Sequence, residues 1–510
     1  MDQLRPRVFW PPFLVLILVC IVSLVNPKEM IALISALNSG MMHTFGWLFS
    51  VGALVFFLLC LLVYASPLGK IRIGGRSASP ILTRWRWFSI TLCTTIATGI
   101  LFWGTAEPLF HLHAPPASLK LTPNSREAAT FAISTMYMHW SLIPYGIYTL
   151  AGLMFALVYH NLKQPFSLGS MLYPVFGNRV HHKLSTWIDA LCLFCLVAGM
   201  AASLGAGILI VSGGLEQMAG IPYSVMTMGF VALAIVVTFV ASAASGLLKG
   251  IRILSEINVS IFIFLGLFMF VAGPTFFLLS FGIESLGEFF VHFFERSLLG
   301  TVTDDVEWAT SWTIFNWTNW LAWTPITALF LGRIAVGYSV RQFIIYNLFL
   351  PASFACAWIM IFSVTSVSMD FQVPNSPLFA VLNREGGASR VIFTILDTLP
   401  FSKITSLVFF GTAFLSYVTA ADSNTTAMSG ISVNRADSES DEPPLYVKVA
   451  WGALIGVISW IMVSFAGEGR DKGLEGVKIL SNLGGFPALI LMLFVAWGMV
   501  KLMFNPRELE

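Results

Sequence analysis

The chain has 510 residues, of which 57% are hydrophobic and only 11% charged, and its mean hydropathy is +0.81. A soluble globular protein is excluded, because such proteins are about 25% charged and much less apolar. The formal net charge of +2 gives no reason to expect a nucleic acid as partner. Long apolar segments span membranes as helices, so the chain is predicted to be an all-α integral membrane protein in a lipid bilayer.

Apolar segments of about 20 residues predict twelve transmembrane helices. The first follows Arg5 and Arg7, but no small-residue cleavage site follows it, so it is interpreted as a helix and not as a signal peptide. The predicted spans are 8–25, 45–65, 86–106, 130–159, 185–212, 222–246, 251–280, 308–334, 340–367, 403–432, 446–467 and 478–503. Two shorter amphipathic segments, 284–299 and 388–398, are predicted to lie on the membrane surface or against the bundle.

Lys and Arg residues set the predicted orientation. With both termini in the cytoplasm, most of the 28 Lys and Arg residues fall in cytoplasmic segments. The largest cluster, between the second and third spans, consists of Lys70, Arg72, Arg76, Arg84 and Arg86. We therefore expect a multi-pass protein of the cell inner membrane, built on a plan that is common among transporters.

Two predicted spans contain residues that interrupt helices. The third contains Gly99 and ends within the run Gly104–Pro108, and the eighth contains Asn316, Asn319 and Pro325. Each begins a candidate set of five helices, and broken helices at corresponding places in two halves indicate a midplane site between inverted repeats. The predicted parts are two amino-terminal helices (1–85), a first repeat (86–282), an amphipathic connecting helix (283–307), a second repeat (308–503) and a short cytoplasmic tail (504–510).

The eighth span is crowded with aromatic residues. Trp312, Phe315, Trp320 and Trp323 share one helical face, and Trp320 falls near the middle of the membrane, far from the aromatic belts at its two surfaces. Aromatic faces at that depth suit a cation that has no proton to donate, such as a quaternary ammonium. Packing against neighbouring helices is the alternative explanation.

A second aromatic cluster lies in the fourth span. Pro144 is expected to kink this helix, which would turn Trp140, Tyr145 and Tyr148 toward one pocket. Core packing is the better explanation of this cluster when it is considered alone. Two mid-membrane clusters on different helices together favour a shared box for a cation.

Ionisable residues inside spans are candidates for function, because each is costly there. Asp422 could bind a cation, carry a proton or only accept hydrogen bonds, and Arg252 could reach the cytoplasmic surface or supply a fixed inward charge. Glu107 is expected close to an interface. His111 and His113 are expected in a loop without an acidic partner, so no metal site or cofactor is predicted.

Several motifs together resemble the betaine/choline/carnitine transporter (BCCT) family, and the similarity runs nearly from end to end. The motifs are Trp312–Pro325, Phe330–Ile334, Phe102–Pro108, Lys249–Ser255 and Thr419–Ser423. The resemblance implies a LeuT-like five-plus-five inverted repeat after two extra helices, assembled as a homotrimer. It also implies secondary active transport, by alternating access, of a small onium solute such as glycine betaine, choline or carnitine, and no enzymatic activity.

The resemblance also implies which residues hold the solute. Trp140, Tyr145, Tyr148 and Trp320 correspond to the family's box, while Phe315 and Trp323 match positions that line the route to it. Three departures leave the solute open. Asn319 stands where the family usually has Trp, Tyr145 stands where Trp is common, and the segment 95–99 keeps a single glycine. A hydroxyl, a different carboxylate spacing or a sulfonium would fit these changes.

Coupling is predicted from three positions. Sodium-coupled relatives use adjacent Thr and Ser hydroxyls on the tenth span, and this chain keeps Thr419 but has Ala420. Arg252 resembles the arginine with which the carnitine/γ-butyrobetaine exchanger replaces a sodium ion. Sodium-independent exchange, or proton coupling through Asp422, is favoured over sodium symport of betaine, choline or a sulfonium. An amine or amino-acid carrier of the same architecture is the alternative solute class.

Overall fold

The computed structural model describes residues 4–96, 99–181, 183–244, 248–298, 305–433, 443–466 and 472–509, and these are almost entirely helical. The first eight long helices are α1 (Pro6–Val25), α2 (Pro27–Ala65), α3 (Arg84–Ile96), α4 (Gly99–His113), α5 (Arg126–Trp140), α6 (Leu142–Ala156), α7 (Lys183–Ala219) and α8 (Val225–Ala244). They are followed by α9 (Leu248–Ala272), α10 (Thr275–Val291), α11 (Phe315–Arg333), α12 (Leu350–Ser368), α13 (Gly387–Asp397), α14 (Ser402–Ser432), α15 (Leu445–Phe465) and α16 (Lys472–Phe504).

Nine helical stretches of the described residues are long and apolar enough to cross a membrane, or ten if the bent pair α9–α10 counts as one span. The predicted number was twelve. The other two predicted spans, 86–106 and 308–334, are helical where described but do not meet that standard. In the first, the described residues form α3 and α4, and the second is rich in Trp, Asn and Thr, which lower its hydropathy.

The predicted seventh span, 251–280, is too long at its carboxyl end. Helix α9 ends at Ala272, and α10 begins at Thr275 after a bend of 105°. Pro274 has no backbone N–H and disfavours helical conformation at Gly273, so the helix breaks there. The amphipathic segment that was predicted to begin at residue 284 therefore begins nine residues earlier, at Thr275, as helix α10. The segment predicted at 388–398 corresponds to α13.

The predicted second span, 45–65, is only the latter part of α2. This helix has 39 residues and begins at Pro27, in the first turn, where the missing N–H of proline costs nothing. No proline interrupts the segment between Pro27 and residue 45. The helix can therefore extend beyond the apolar stretch that hydropathy detects.

The predicted interruption of the eighth span at Pro325 is wrong, because α11 is continuous from Phe315 to Arg333. Pro325 removes one backbone donor, and hydroxyls on either side donate to carbonyls of the preceding turn: Thr324 to Trp320 at 3.0 Å and Thr327 to Trp323 at 2.9 Å. The irregular part lies before α11, where Thr310–Ile314 forms a wide π-helical turn.

Helix α11 lies at the centre of the described bundle and packs against α6, α7 and α16. Helix α4 packs against α5 and α12, and two serine hydroxyls of α12 hold it there. Ser363 donates to the carbonyl of Gly104 at 2.5 Å, and Ser366 donates to that of Thr105 at 2.7 Å. This packing places the aromatic residues of α5, α6 and α11 around one point.

Candidate solute-binding site

Three aromatic side chains surround Trp320. The centroid of its ring lies 5.8 Å from that of Trp140, 5.3 Å from that of Tyr145 and 4.8 Å from that of Tyr148. The rings are inclined to Trp320 by 55–69°, and none of the four residues is more than 5% exposed. We call these four residues the inner box.

A break between α5 and α6 brings the three rings of the predicted fourth span together. Pro144 has no N–H, so the carbonyl of Trp140 lacks its helical donor, and Ser141 leaves helical conformation with φ −121° and ψ −111°. Trp140 is the last residue of α5, Tyr145 lies in the first turn of α6, and Tyr148 follows one turn later. The predicted kink at Pro144 is thus an interruption of one residue, Ser141, three positions before it.

Gly99, at the start of α4, touches the inner box. A Cβ atom at this position would lie 2.9 Å from Cη2 of Trp140, closer than side chains approach one another. This contact gives a packing reason for the one glycine that the segment 95–99 retains.

The inner box offers aromatic faces and an indole N–H, and the buried hydroxyl of Tyr145 also has no hydrogen-bond partner among the described residues. The indole N–H of Trp320 is buried and has no hydrogen-bond partner among the described residues. Nor does any Lys or Arg in the described part of the chain lie over the four rings. The faces suit a cationic head group, and the N–H suits an acceptor on the same solute.

A buried carboxylate holds the Trp140 side of the box. Oε2 of Glu107 accepts a 2.9 Å hydrogen bond from Nε1 of Trp140, and Oε1 lies 2.6 Å from Nδ1 of His139 and 3.3 Å from Nε2 of His111. Asn316 of α11 donates to Oε1 at 3.5 Å. We call Glu107, His111, His139 and Asn316 the polar cluster; Glu107 and both histidines are completely buried.

The polar cluster contradicts one sequence prediction. His111 lies in α4, not in a loop, and Glu107 is its acidic partner. His113 also has a partner, because its Nε2 lies 2.5 Å from Oδ2 of the buried Asp370. A local signal was present: residues 107 and 111 are one helical turn apart and therefore face the same side.

The cluster has the donors of a three-ligand metal site, since one ligand atom each from Glu107, His111 and His139 lies within 4.8 Å of the others. However, the 2.6 Å between Oε1 of Glu107 and Nδ1 of His139 is a hydrogen-bond distance, and an ion does not fit between these atoms. Nε2 of His139 is occupied as well, 3.1 Å from the Thr313 hydroxyl. The arrangement is a hydrogen-bond network that fixes the orientation of Trp140.

A second group of aromatic rings lies near the start of α11. Trp103 of α4 is 5.5 Å from Phe315 and 6.1 Å from Trp312, centroid to centroid. We call Trp103, Trp312 and Phe315 the outer cluster. It includes Phe315, which was predicted to line the route to the box, and Trp103, which was not singled out in the sequence.

Two predicted site residues of α11 stand apart from these rings. Asn319 is partly buried, and its Oδ1 accepts a 3.0 Å hydrogen bond from the hydroxyl of Ser481 in α16. Trp323 is partly buried and makes no ring contact within the described part of the chain. The polar residue at position 319 is therefore used in helix packing.

Comparison with known proteins identifies the family of the chain. The family described as "BCCT, betaine/carnitine/choline family transporter" matches residues 7–507. The chain belongs to the BCCT family. It is a multi-pass membrane transporter of a family that carries betaine-type solutes, and it is not an enzyme.

Three BCCT relatives cover nearly the whole chain. The ectoine/hydroxyectoine transporter of Virgibacillus pantothenticus is 29% identical over 97% of this chain and 95% of its own length. The glycine betaine transporter OpuD of Bacillus subtilis is 28% identical over 99% and 95%, respectively. The glycine betaine/proline/choline transporter VP1723 of Vibrio parahaemolyticus is 28% identical over 99% and 91%.

The residues that we expect to couple transport in this BCCT protein are on α9 and α14. The hydroxyl of Thr419 donates to two carbonyls of its own helix, 3.0 and 3.1 Å away. Asp422 is 2% exposed, and its Oδ2 accepts a 3.4 Å hydrogen bond from Ser242 of α8. The side chain of Arg252 lies outside the described residues.

Proposed function

We propose that the chain carries a quaternary-ammonium or related onium solute across the cytoplasmic membrane by alternating access, and that the inner box holds the cationic group. The observation that supports this most is the position of Trp320 at the centre of three rings from another helix pair, with no Lys or Arg of the described chain over them. A desolvated cation gains about 2 kcal/mol or more from such faces.

Zwitterionic solutes of the glycine betaine type are our first candidates. The names of the three relatives include glycine betaine, ectoine, hydroxyectoine, proline and choline, and all but choline are zwitterions. The N–H of Trp320 supplies a donor for the carboxylate of such a solute. Carnitine, which the motifs alone also suggested, has the same head group and remains within the proposed class.

For coupling, we propose sodium-independent exchange. Ala420 offers no side-chain oxygen beside Thr419, and hard cations such as sodium need several oxygen ligands. Arg252 is proposed to supply a permanent positive charge in place of the ion. Proton-coupled or sodium-coupled symport is the second candidate, and the burial of Asp422 in α14 favours the proton.

The remaining parts of the architecture are proposals that rest on family membership. We propose two five-helix repeats of opposite orientation, at 86–282 and 308–503, after two additional helices, joined by the segment 283–307, which includes the end of α10. Both termini are proposed to face the cytoplasm, with the tail 504–510 on that side. The functional unit is proposed to be a homotrimer in the cell inner membrane.

The test is uptake of labelled glycine betaine and carnitine into liposomes that contain the purified protein. It is run with and without a sodium gradient, and with and without unlabelled solute inside. Uptake that needs internal solute and ignores sodium supports exchange, and Arg252→Ala should then slow it. Uptake that requires sodium would contradict exchange, and absence of uptake of any onium solute would contradict the proposed function.

A further inference from the structure

A lysine of the protein itself lies on the outer cluster. Lys478 of α16 is 8% exposed, and its Nζ lies 4.3 Å from the centroid of the Trp312 ring and 5.8 Å from that of Phe315. A carboxylate oxygen of Glu475, a half-exposed residue, is 3.8 Å away. Burying an ammonium group is costly, and aromatic faces compensate part of that cost. The outer cluster thus already holds a cation of the kind that the inner box is proposed to bind.

Lys478 lies beside the inner box without touching it. Phe315 precedes Trp320 by five residues, or about 7.5 Å along the axis of α11. One turn further along α16, Ser481 contacts Asn319, the residue next to Trp320. A fixed positive charge therefore stands within one or two turns of the proposed solute, in surroundings that screen charge poorly.

We propose that Lys478 is a specificity-determining residue that favours zwitterionic onium solutes over simple onium cations; this inference rests on the proposed function. A solute such as choline carries only positive charge and is repelled by the ammonium group at this distance. A solute such as glycine betaine also carries a carboxylate, whose attraction to Lys478 offsets the repulsion of its head group. The aromatic faces alone do not distinguish the two classes, because both carry the same trimethylammonium group.

The chain offers a matched control on the same helix. Lys501 of α16 also lies over an indole, with Nζ 5.1 Å from the centroid of Trp497, but Trp497 is 53% exposed and belongs to neither ring group. Lys501→Met therefore removes a lysine–tryptophan contact and one positive charge without changing the surroundings of the box.

The experiment measures the dissociation constants of glycine betaine and choline by calorimetry on the purified wild type and on Lys478→Met, Lys478→Gln, Lys478→Arg and Lys501→Met. Both neutral variants at 478 should change the ratio of the two constants by about tenfold in favour of choline. Lys478→Arg, which keeps the charge, and Lys501→Met should keep the wild-type ratio. Two neutral variants are used because methionine fills the space of the lysine and glutamine keeps a polar group. If one of these variants does not fold, the other still tests the inference.

An unchanged ratio in the folded neutral variants would overturn the inference, as would an equal change in Lys501→Met. Weaker binding of both solutes by the same factor would also overturn it, because a structural role alone would have that effect. These outcomes are distinct from failure of the proposed function, in which the wild type itself binds neither solute.

Discussion

Two groups of aromatic rings lie beside helix α11, and they differ in what faces them. The outer cluster of Trp103, Trp312 and Phe315 is occupied by the ammonium of Lys478. The inner box around Trp320 has no Lys or Arg of the described residues over its rings and keeps an indole N–H without a partner there. Rings of the same chemistry thus pack around an internal cation in one place and are proposed to bind a solute in the other.

The two groups also differ in how they are held. The rings of the outer cluster contact one another. The inner box depends in addition on a polar contact, from Trp140 to Glu107, and Glu107 is itself fixed by two histidines. A binding site needs side chains locked by their surroundings, and the polar cluster supplies this on one side of the box.

The largest effect should come from removing the central ring of the inner box. Trp320→Ala should weaken glycine betaine binding by about thirtyfold or more, because one desolvated cation–π contact is worth about 2 kcal/mol. Calorimetry on the purified variant measures this. Trp497→Ala, which removes an exposed tryptophan, should bind like the wild type. Near-normal affinity in Trp320→Ala would show that the ring does not contact the solute.

A smaller effect is expected at the polar cluster. Glu107→Ala leaves the N–H of Trp140 without its acceptor, so the indole loses its fixed orientation and affinity should fall by about tenfold. Glu107→Gln keeps an acceptor and should recover part of the loss.

Asp370 provides the control for Glu107. It is equally buried and also pairs with a histidine, His113, but it touches no ring of the inner box. Asp370→Ala should lower the melting temperature without changing the dissociation constant. Equal losses of affinity in Asp370→Ala and Glu107→Ala would mean that both act only through stability.

The smallest effect is expected at Gly99. The methyl group of Gly99→Ala would lie 2.9 Å from Trp140, and relief requires a shift of a few tenths of an ångström, so affinity should fall by about threefold. Gly411→Ala, in a helix position with nothing within 4 Å, is the matched control and should leave affinity unchanged. A Gly99→Ala protein with wild-type affinity would show that the position of the indole is not critical.

Much of the ring geometry follows from local sequence. Helical spacing places Tyr145 and Tyr148 one turn apart, and Pro144 predicts the break that lets Trp140 join them. Their role as solute-binding residues, together with that of Trp320, stays a prediction. Membership of the transporter family, by contrast, is confirmed over residues 7–507.

The polar cluster could not be assembled from local patterns. Glu107 meets His139, which lies 32 positions further along the chain, and Asn316, which lies on a third helix. A carboxylate at the end of an apolar segment is usually solvated, and only its spacing to His111 indicated otherwise. Some helix boundaries were predicted wrongly for a similar reason. Hydropathy does not register the bend at Pro274, and it does not show that Pro325 is accommodated without a break.

The central claim is that the inner box binds a positive charge through aromatic faces. The most direct test compares wild-type binding of glycine betaine with that of 3,3-dimethylbutanoate, the carbon isostere that has the same shape and carboxylate but no ammonium. Calorimetry should show the isostere binding about thirtyfold more weakly or not at all. Equal affinities would mean that the box recognises only shape and apolar surface, and cation binding by these rings would be contradicted.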